Sequence, residues 1–196
     1  MTKSSDKANR PIESAVVEGT LVQAKRGKRV GGGSLVGFVV CSSNQWVIVH
    51  RVDPDVWILD GYVAVRIKDL KSIRDWRYRK NSDYPLQVLR HFGIDKPIRP
   101  EGLDPSTAQS VIRSALGLFE LVGIQEERGD PECAWYGVPI HFGRNKLRLL
   151  NINSIGVWKK GSTSHEISEI TWIEFGTRYA EALAAIGRTP PTEVVS

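Results

Sequence analysis

Short runs of apolar and β-branched residues, separated by turn residues, dominate the first half of the chain. They predict strands over residues 16–24, 35–41, 46–52, 56–59 and 62–67, with a last short strand at residue 73. The polar gap at residues 42–45 and the pair Asp60-Gly61 are typical of hairpin turns. We interpret this segment as a meander of five or six strands. Because the strands are too short for an open sandwich, closure into a small barrel is the expected way to satisfy their edges.

The hydrophobic period changes after residue 83. Residues 84–93 have Pro85 near a helix start, apolar positions three and four apart, and Gly93 at the end, which predicts a short helix. A second helix is predicted where Asp104 offers an N-cap and Pro105 the first helical position, and it should end near Gly117. Residues 95–103, which are rich in proline and charge between these helices, are interpreted as an inter-domain linker.

The second half of the chain repeats the pattern of the first when it is shifted by 100 residues. Leu21 falls on Leu121, Gly37 on Gly137, and the helical pattern at 178–187 takes the place of the helix at 86–93. A repeated supersecondary unit keeps its turns, strand faces and following helix in register in this way. We therefore predict a flexible tail over 1–12, a first barrel with its helix over 13–94, the linker, a second helix-barrel-helix unit over 104–188, and a flexible tail over 189–196.

The order of a helix, a short-stranded meander and a turn of the form Ile-x-Glu-Ile-x-x-Ile at 167–173 resembles the Sm-like and SH3-like small barrels. The resemblance implies an α+β, mostly β fold with two such barrels in tandem, each with an associated short helix. The positions that carry the first Sm motif hold Ser43 and Val47 in one half and Gly143 and Leu147 in the other. The uridine-binding pocket of that family is therefore not carried over.

The formal net charge of +5 is divided unevenly between the halves. Residues 1–100 hold 18 Lys and Arg against 10 Asp and Glu, whereas residues 101–196 hold 9 against 12. This asymmetry indicates that the two halves face different partners or that one half carries the anion-binding work. The alternative is that two related halves have drifted in charge without consequence.

Basic residues interleaved with aromatic ones are the most distinctive chemical feature of the sequence. Cations beside flat rings suit phosphates with stacked bases, and the basic loop at 25–33 adds further positive charge. The alternative is that these side chains solvate a strand end while Trp76 packs on the core. The candidate nucleic-acid-binding residues are Lys25, Arg26, Lys28, Arg29, Arg66, Lys68, Arg74, Trp76, Arg77, Tyr78, Arg79 and Lys80.

The residue patterns give no ground for a catalytic or metal site. The glycines at 31–33 precede a predicted strand rather than the helix that a phosphate-binding loop needs, and the four histidines and two cysteines lack metal-ligand spacing. We therefore expect no catalytic residues, no metal and no cofactor. Two cysteines at non-equivalent places, with no apolar run long enough for a membrane span, favour a cytoplasmic protein with no membrane contact.

Two functions follow from this pattern. The first is a non-enzymatic binding protein whose basic first unit contacts RNA or single-stranded DNA. The second is a protein-protein interaction module, such as an adaptor, inhibitor or immunity-type protein, that binds a protein partner through barrel edges or tryptophans. Small barrels serve both uses, and the sequence leaves the oligomeric state open.

Overall fold

The computed structural model describes residues 6–76, 83–94 and 96–191 of the chain, with side chains from residue 12 onward. Within these ranges the chain forms ten β-strands and four α-helices, so the fold is mostly β. The helices are α1 (Asp6–Glu18), α2 (Tyr84–His91), α3 (Ala108–Leu116) and α4 (Arg178–Gly187). The strands are β1 (Leu21–Arg26), β2 (Ser34–Ser42), β3 (Trp46–Asp53), β4 (Ile58–Arg66), β5 (Leu70–Asp75), β6 (Val122–Gln125), β7 (Trp135–Phe142), β8 (Lys146–Ile152), β9 (Trp158–Glu166) and β10 (Trp172–Phe175).

All ten strands belong to one antiparallel sheet with the order β5-β1-β2-β3-β4-β10-β6-β7-β8-β9. Each half contributes five neighbouring strands, and the halves join where β4 pairs with β10, with Val63 opposite Glu174. The internal order of the second half, β10-β6-β7-β8-β9, follows the same sequence of steps as that of the first, β5-β1-β2-β3-β4. The outer strands of the sheet are β5 and β9.

The prediction of two tandem closed barrels is wrong. The prediction assumed that a sheet of short strands must close into a barrel to satisfy the hydrogen-bonding groups at its edges. Instead, the edge of the first half at β4 is satisfied by β10, which also pairs with β6. Pairing between the halves therefore takes the place of closure, and the result is a single open sheet.

The hairpin predicted at Asp60-Gly61 is also absent from the described chain, because β4 runs through this pair as one strand. Gly61 has a positive φ of 63° and lies where the β3–β4 register shifts. A Cβ atom at this position would lie 2.5 Å from the backbone nitrogen of Thr177. The glycine therefore permits a bulge and a close approach of the α4 entry, rather than a chain reversal.

The helices differ from the predictions mainly at the N-terminus of the chain. The residues assigned to a tail and to the start of the first strand form α1, whose Ile12 and Ala15 are buried. For α3 the N-cap is Thr107, whose hydroxyl accepts a hydrogen bond from the backbone N–H of Ser110, and not the predicted Asp104. The predicted helices at 84–93 and 178–187 correspond to α2 and α4. Of the tail predicted over 189–196, residues 192–196 lie outside the described chain.

The apolar pattern of the sequence predicts that Val39, Val47, Val49 and Ile67 are buried together, and that Ile140, Leu147, Leu149 and Ile167 form the matching set in the second half. Val39, Val47, Val49 and Ile67 are buried in one cluster, which α1 covers through Ile12 and Ala15. Of the matching set in the second half, Leu147 and Leu149 are buried and Ile167 packs against their cluster, whereas Ile140 is half-buried.

A further cluster spans both halves. Trp46, Ile48 and Ala64 on β3 and β4 belong to the same buried cluster as Val111 of α3 and Ile173 of β10. The two halves therefore share hydrophobic core as well as backbone hydrogen bonds.

Candidate nucleic-acid interface

The two basic segments of the sequence lie side by side in the fold. Strand β1 pairs with β5 so that Lys25 is opposite Ser72 and Gln23 is opposite Arg74. The backbone N–H of Gly27 donates a 2.9 Å hydrogen bond to the carbonyl oxygen of Asp69, which ties the loop after β1 to the turn before β5. The register thus brings residues separated by more than forty positions to one edge of the sheet.

Among the described residues, six exposed cationic side chains occupy this edge, and we call them the basic edge. Because directly opposed residues of an antiparallel pair share a face, Lys25 and Arg74 lie diagonally on one face of the β1–β5 ladder. The others come from the loop after β1 and from the turn into β5. The members of the basic edge are Lys25, Lys28, Arg29, Lys68, Lys71 and Arg74.

Two of the predicted ligand-binding residues, Arg26 and Arg66, are buried and are therefore not part of this surface. Each is only 6% exposed. Arg26 makes a bidentate ion pair with Glu127, whose Oε1 lies 2.6 Å from Nη1, and its guanidinium lies 4.7 Å over the ring of Trp172. The sequence shows that both residues are basic but does not reveal that their charges are neutralised. The partner of Arg26 lies more than 100 positions away, and the partner of Arg66 is Asp69, three residues later.

Arg66 fixes the turn between β4 and β5 against the second half. Its Nε donates to Asp69 Oδ2 at 2.6 Å, and its Nη1 donates to the carbonyl oxygen of Ser168 at 2.7 Å. Arg128, from the loop after β6, lies 3.5 Å from Asp69 Oδ1 and 3.9 Å from Glu169 Oε2. Ion pairs and hydrogen bonds therefore cross the boundary between the halves directly beside the basic edge.

Arg128 also belongs to this site, although it is not among the residues predicted from the sequence. It lies with residues 27–30 and 68–71 around a cleft of about 530 Å³, which we call the seam cleft. Its position in the acidic half gave no local signal, because its approach to the basic edge depends on the pairing of β4 with β10.

Trp76 follows β5 and is half-buried against the core of the first half. Its ring stacks on Trp57, with 5.2 Å between ring centroids and an interplanar angle of 30°. Trp57 in turn meets Tyr84 edge-on at 6.0 Å. The aromatic group thus lies at the far end of β5 from the seam cleft. The other predicted residues, Arg77, Tyr78, Arg79 and Lys80, lie outside the described residues.

His50 and Tyr62 on the first half hold the backbone at Ile98 in place. The ring of His50 stacks on Tyr62 at 4.4 Å, and its Nδ1 accepts a 3.2 Å hydrogen bond from the backbone N–H of Ile98. Tyr62 donates to the carbonyl oxygen of Ile98 at 3.2 Å. Burial lowers the pKa of His50 to about 4 and raises the pKa of Tyr62 to about 12, so both are neutral at pH 7.

A polar network lies inside the second half. His165 is buried, with Nδ1 3.2 Å from Glu126 Oε1 and Nε2 2.6 Å from the hydroxyl of Thr163. That hydroxyl donates to Asn151 Oδ1 at 2.7 Å. Because the hydroxyl proton of Thr163 is engaged by Asn151, this network cross-links β8, β9 and the end of β6 rather than presenting an activated nucleophile.

No group of three or more His, Cys, Asp or Glu side chains in the described part of the chain is arranged to hold a metal ion. Cys41 and Cys133 are free and half-buried, and burial raises the pKa of the Cys41 thiol to about 11, with a further rise from the Asp104 charge. That thiol is therefore protonated at neutral pH and a weak nucleophile.

Comparison of the chain with protein-family models, curated proteins and solved structures finds no match. These comparisons do not identify the chain with the Sm-like or SH3-like barrels. Among the described residues, no helix is both long and apolar enough to cross a membrane. Function is therefore inferred from the geometry of the chain itself.

Proposed function

We propose that this chain is a nucleic-acid-binding protein that contacts the phosphate backbone of single-stranded RNA or DNA through the basic edge. The observation that carries the proposal is the convergence of six exposed cations, from segments far apart in sequence, on one outer strand and its neighbour. Their fields add along this edge, which favours a polyanion over a small singly charged ligand.

The carboxylates near this edge do not cancel its charge. Asp69 is already paired with Arg66, and its side chain is only 10% exposed. Asp75, at the end of β5, is exposed beside Arg74. Among the described residues, the exposed carboxylate of Asp75 and the partly exposed carboxylate of Glu169 are outnumbered by six exposed cations, so the surface stays positive.

The aromatic group at the end of β5 favours single strands over duplexes. From Lys71 to Trp76 the chain advances about 17 Å at the usual rise of a strand. A strand lying along β5 with its phosphates on the cations would place a base close to Trp76, and base-aromatic stacking contributes about 1–3 kcal/mol per base. Bases inside a duplex are already stacked, so they gain nothing from the ring.

The test is a titration of labelled single-stranded RNA, single-stranded DNA and duplex DNA at 50 and 200 mM salt. A site with about five phosphate contacts should lose about a hundredfold or more in affinity over this range. The triple substitution of Lys28, Arg29 and Lys71 by Ala should weaken binding and flatten the salt dependence. Lys159→Ala with Lys160→Ala is the matched control, because these exposed lysines lie on β9, the opposite outer strand.

The variant at the aromatic end separates stacking from charge. Trp76→Leu should weaken single-strand binding by about 1–3 kcal/mol and leave the salt dependence unchanged, since no cation is removed. If none of the three nucleic acids binds at micromolar protein and 50 mM salt, the proposal fails. Co-purification with a protein partner would then test the interaction-module alternative.

A further inference from the structure

The seam cleft differs from the rest of the basic edge because it is concave and is built by both halves. Four of the six cations of the basic edge line it, and Arg128 from the second half adds a fifth. The remaining two, Lys25 and Arg74, lie on the face of the β1–β5 ladder outside the cleft. Positive charge is therefore concentrated in a cleft of about 530 Å³ at one end of the edge.

The carboxylates around the cleft leave this charge available. Asp69 is the only acidic residue among the described residues that line it, and it is held by Arg66 at 2.6 Å. The contacts of Arg128 with Asp69 and Glu169 are longer, at 3.5 and 3.9 Å, and its side chain is 39% exposed. Loose, solvated ion pairs contribute little, so the guanidinium of Arg128 can turn to a stronger acceptor at little cost.

From this geometry we infer that the seam cleft binds a terminal phosphate group, the monoester at the end of a nucleic-acid strand, and so sets where the bound strand begins. This deepens the proposed function and rests on it. An internal phosphate carries one negative charge and two free oxygens, whereas a terminal phosphate carries about −1.5 to −2 at pH 7 and three free oxygens. A cluster of lysines with an arginine fork suits the second group, because arginine binds two phosphate oxygens at once.

The same chemistry belongs to free phosphate compounds, and the experiment distinguishes the two sources. One single-stranded RNA sequence is prepared with a 5′-phosphate, with a 3′-phosphate and with hydroxyls at both ends, and inorganic pyrophosphate is titrated separately. We expect about tenfold tighter binding of one phosphorylated form than of the hydroxyl form at pH 7.5. The preference should shrink as the pH falls below about 6, where the terminal phosphate takes up a proton and becomes a monoanion like an internal phosphate.

Variants of the cleft assign the preference to its residues. Arg128→Ala should remove the preference for the phosphorylated end while leaving the hydroxyl form bound within about twofold, since that form uses the basic edge, to which Arg128 does not belong. Arg128→Lys keeps the charge but not the fork, and should keep only part of the preference. Lys159→Ala, on the opposite outer strand, should leave it intact. Circular dichroism and the melting temperature establish that each variant is folded.

Each outcome bears on one of the two proposals. Equal binding of all three RNA forms overturns the terminal-phosphate site while the proposed nucleic-acid function stands. Binding of pyrophosphate that Arg128→Ala abolishes, with no binding of any RNA, overturns an RNA strand end as the ligand and identifies a free phosphate compound as the source of the phosphate. No preference among the RNAs and no binding of pyrophosphate overturns the inference.

Discussion

Removal of Glu127 should expose the energetic role of the buried ion pair between the halves. Both side chains of the Arg26–Glu127 pair are 5% exposed. Glu127 also accepts a 2.6 Å hydrogen bond from the hydroxyl of Thr171. In Glu127→Ala the guanidinium stays buried against Trp172 without its counter-charge. Loss of one partner from such a pair destabilises a protein by about 3–5 kcal/mol, and we expect the free energy of unfolding to fall by this amount.

Urea denaturation followed by tryptophan fluorescence measures this change, and two further variants identify its cause. Arg26→Met combined with Glu127→Leu removes both charges. Its free energy of unfolding should lie within about 2 kcal/mol of the wild type, because the penalty comes from the uncompensated charge. Lys146→Ala breaks the exposed Lys146–Glu166 pair, whose side chains are 63% and 49% exposed, and should cost less than about 1 kcal/mol. A loss below about 1 kcal/mol in Glu127→Ala would refute the reasoning, since it would mean that water reaches the guanidinium.

Three other substitutions test separate parts of the fold. Gly37→Ala would place a Cβ atom 2.2 Å from the carbonyl oxygen of His50, so its melting temperature should drop by an amount equivalent to about 1–3 kcal/mol or more in free energy of unfolding. The control is Gly161→Ala, where a Cβ atom would have no atom within 4 Å, and its free energy of unfolding should stay within about 0.5 kcal/mol of the wild type. Leu149→Ala should lower the free energy of unfolding in urea by about 2–5 kcal/mol, and a smaller loss would mean that its cluster collapses into the space. Because the pKa of His50 is lowered, its contribution to stability is present above about pH 6.5 and is lost as the pH falls toward about 4. His50→Gln should therefore flatten the pH dependence of the melting temperature in that window. Parallel curves of melting temperature against pH for the variant and the wild type would contradict this.

The side of the sheet to which each side chain of the first half points could be predicted, because each strand falls within one run of apolar residues. Val47 and Val49 alternate with the residues of the opposite face, and a period of two fixes which side is shared whatever the topology. Helices α2 and α4 were likewise predictable from spacing of three and four and from a terminal glycine. Helix α1 was missed because its single apolar stripe, which includes Ile12 and Ala15, is short and sits among charged residues.

The candidate site was predictable only as a list of cations. The sequence could not separate exposed Lys28 from buried Arg26, because the burial of Arg26 depends on Glu127 in the other half. The hairpin predicted at Asp60-Gly61 was wrong for a similar reason, because the conformation of this pair also depends on residues far away in the sequence. Its glycine accommodates the backbone of Gly176 and Thr177, and such a long-range approach leaves no local trace that distinguishes a bulge from a turn. These two errors, at Arg26 and at Asp60-Gly61, therefore lie where the two halves meet.

The joining of the halves at β4 and β10 has a consequence for synthesis on the ribosome. Strand β4 ends at Arg66, but its partner β10 begins only at Trp172. Until more than a hundred further residues have been added, the backbone hydrogen-bonding groups on the β10 side of β4 have no strand to pair with, and an open edge of this kind can recruit other nascent chains. A chain released before β10 is made should therefore aggregate or depend on chaperones.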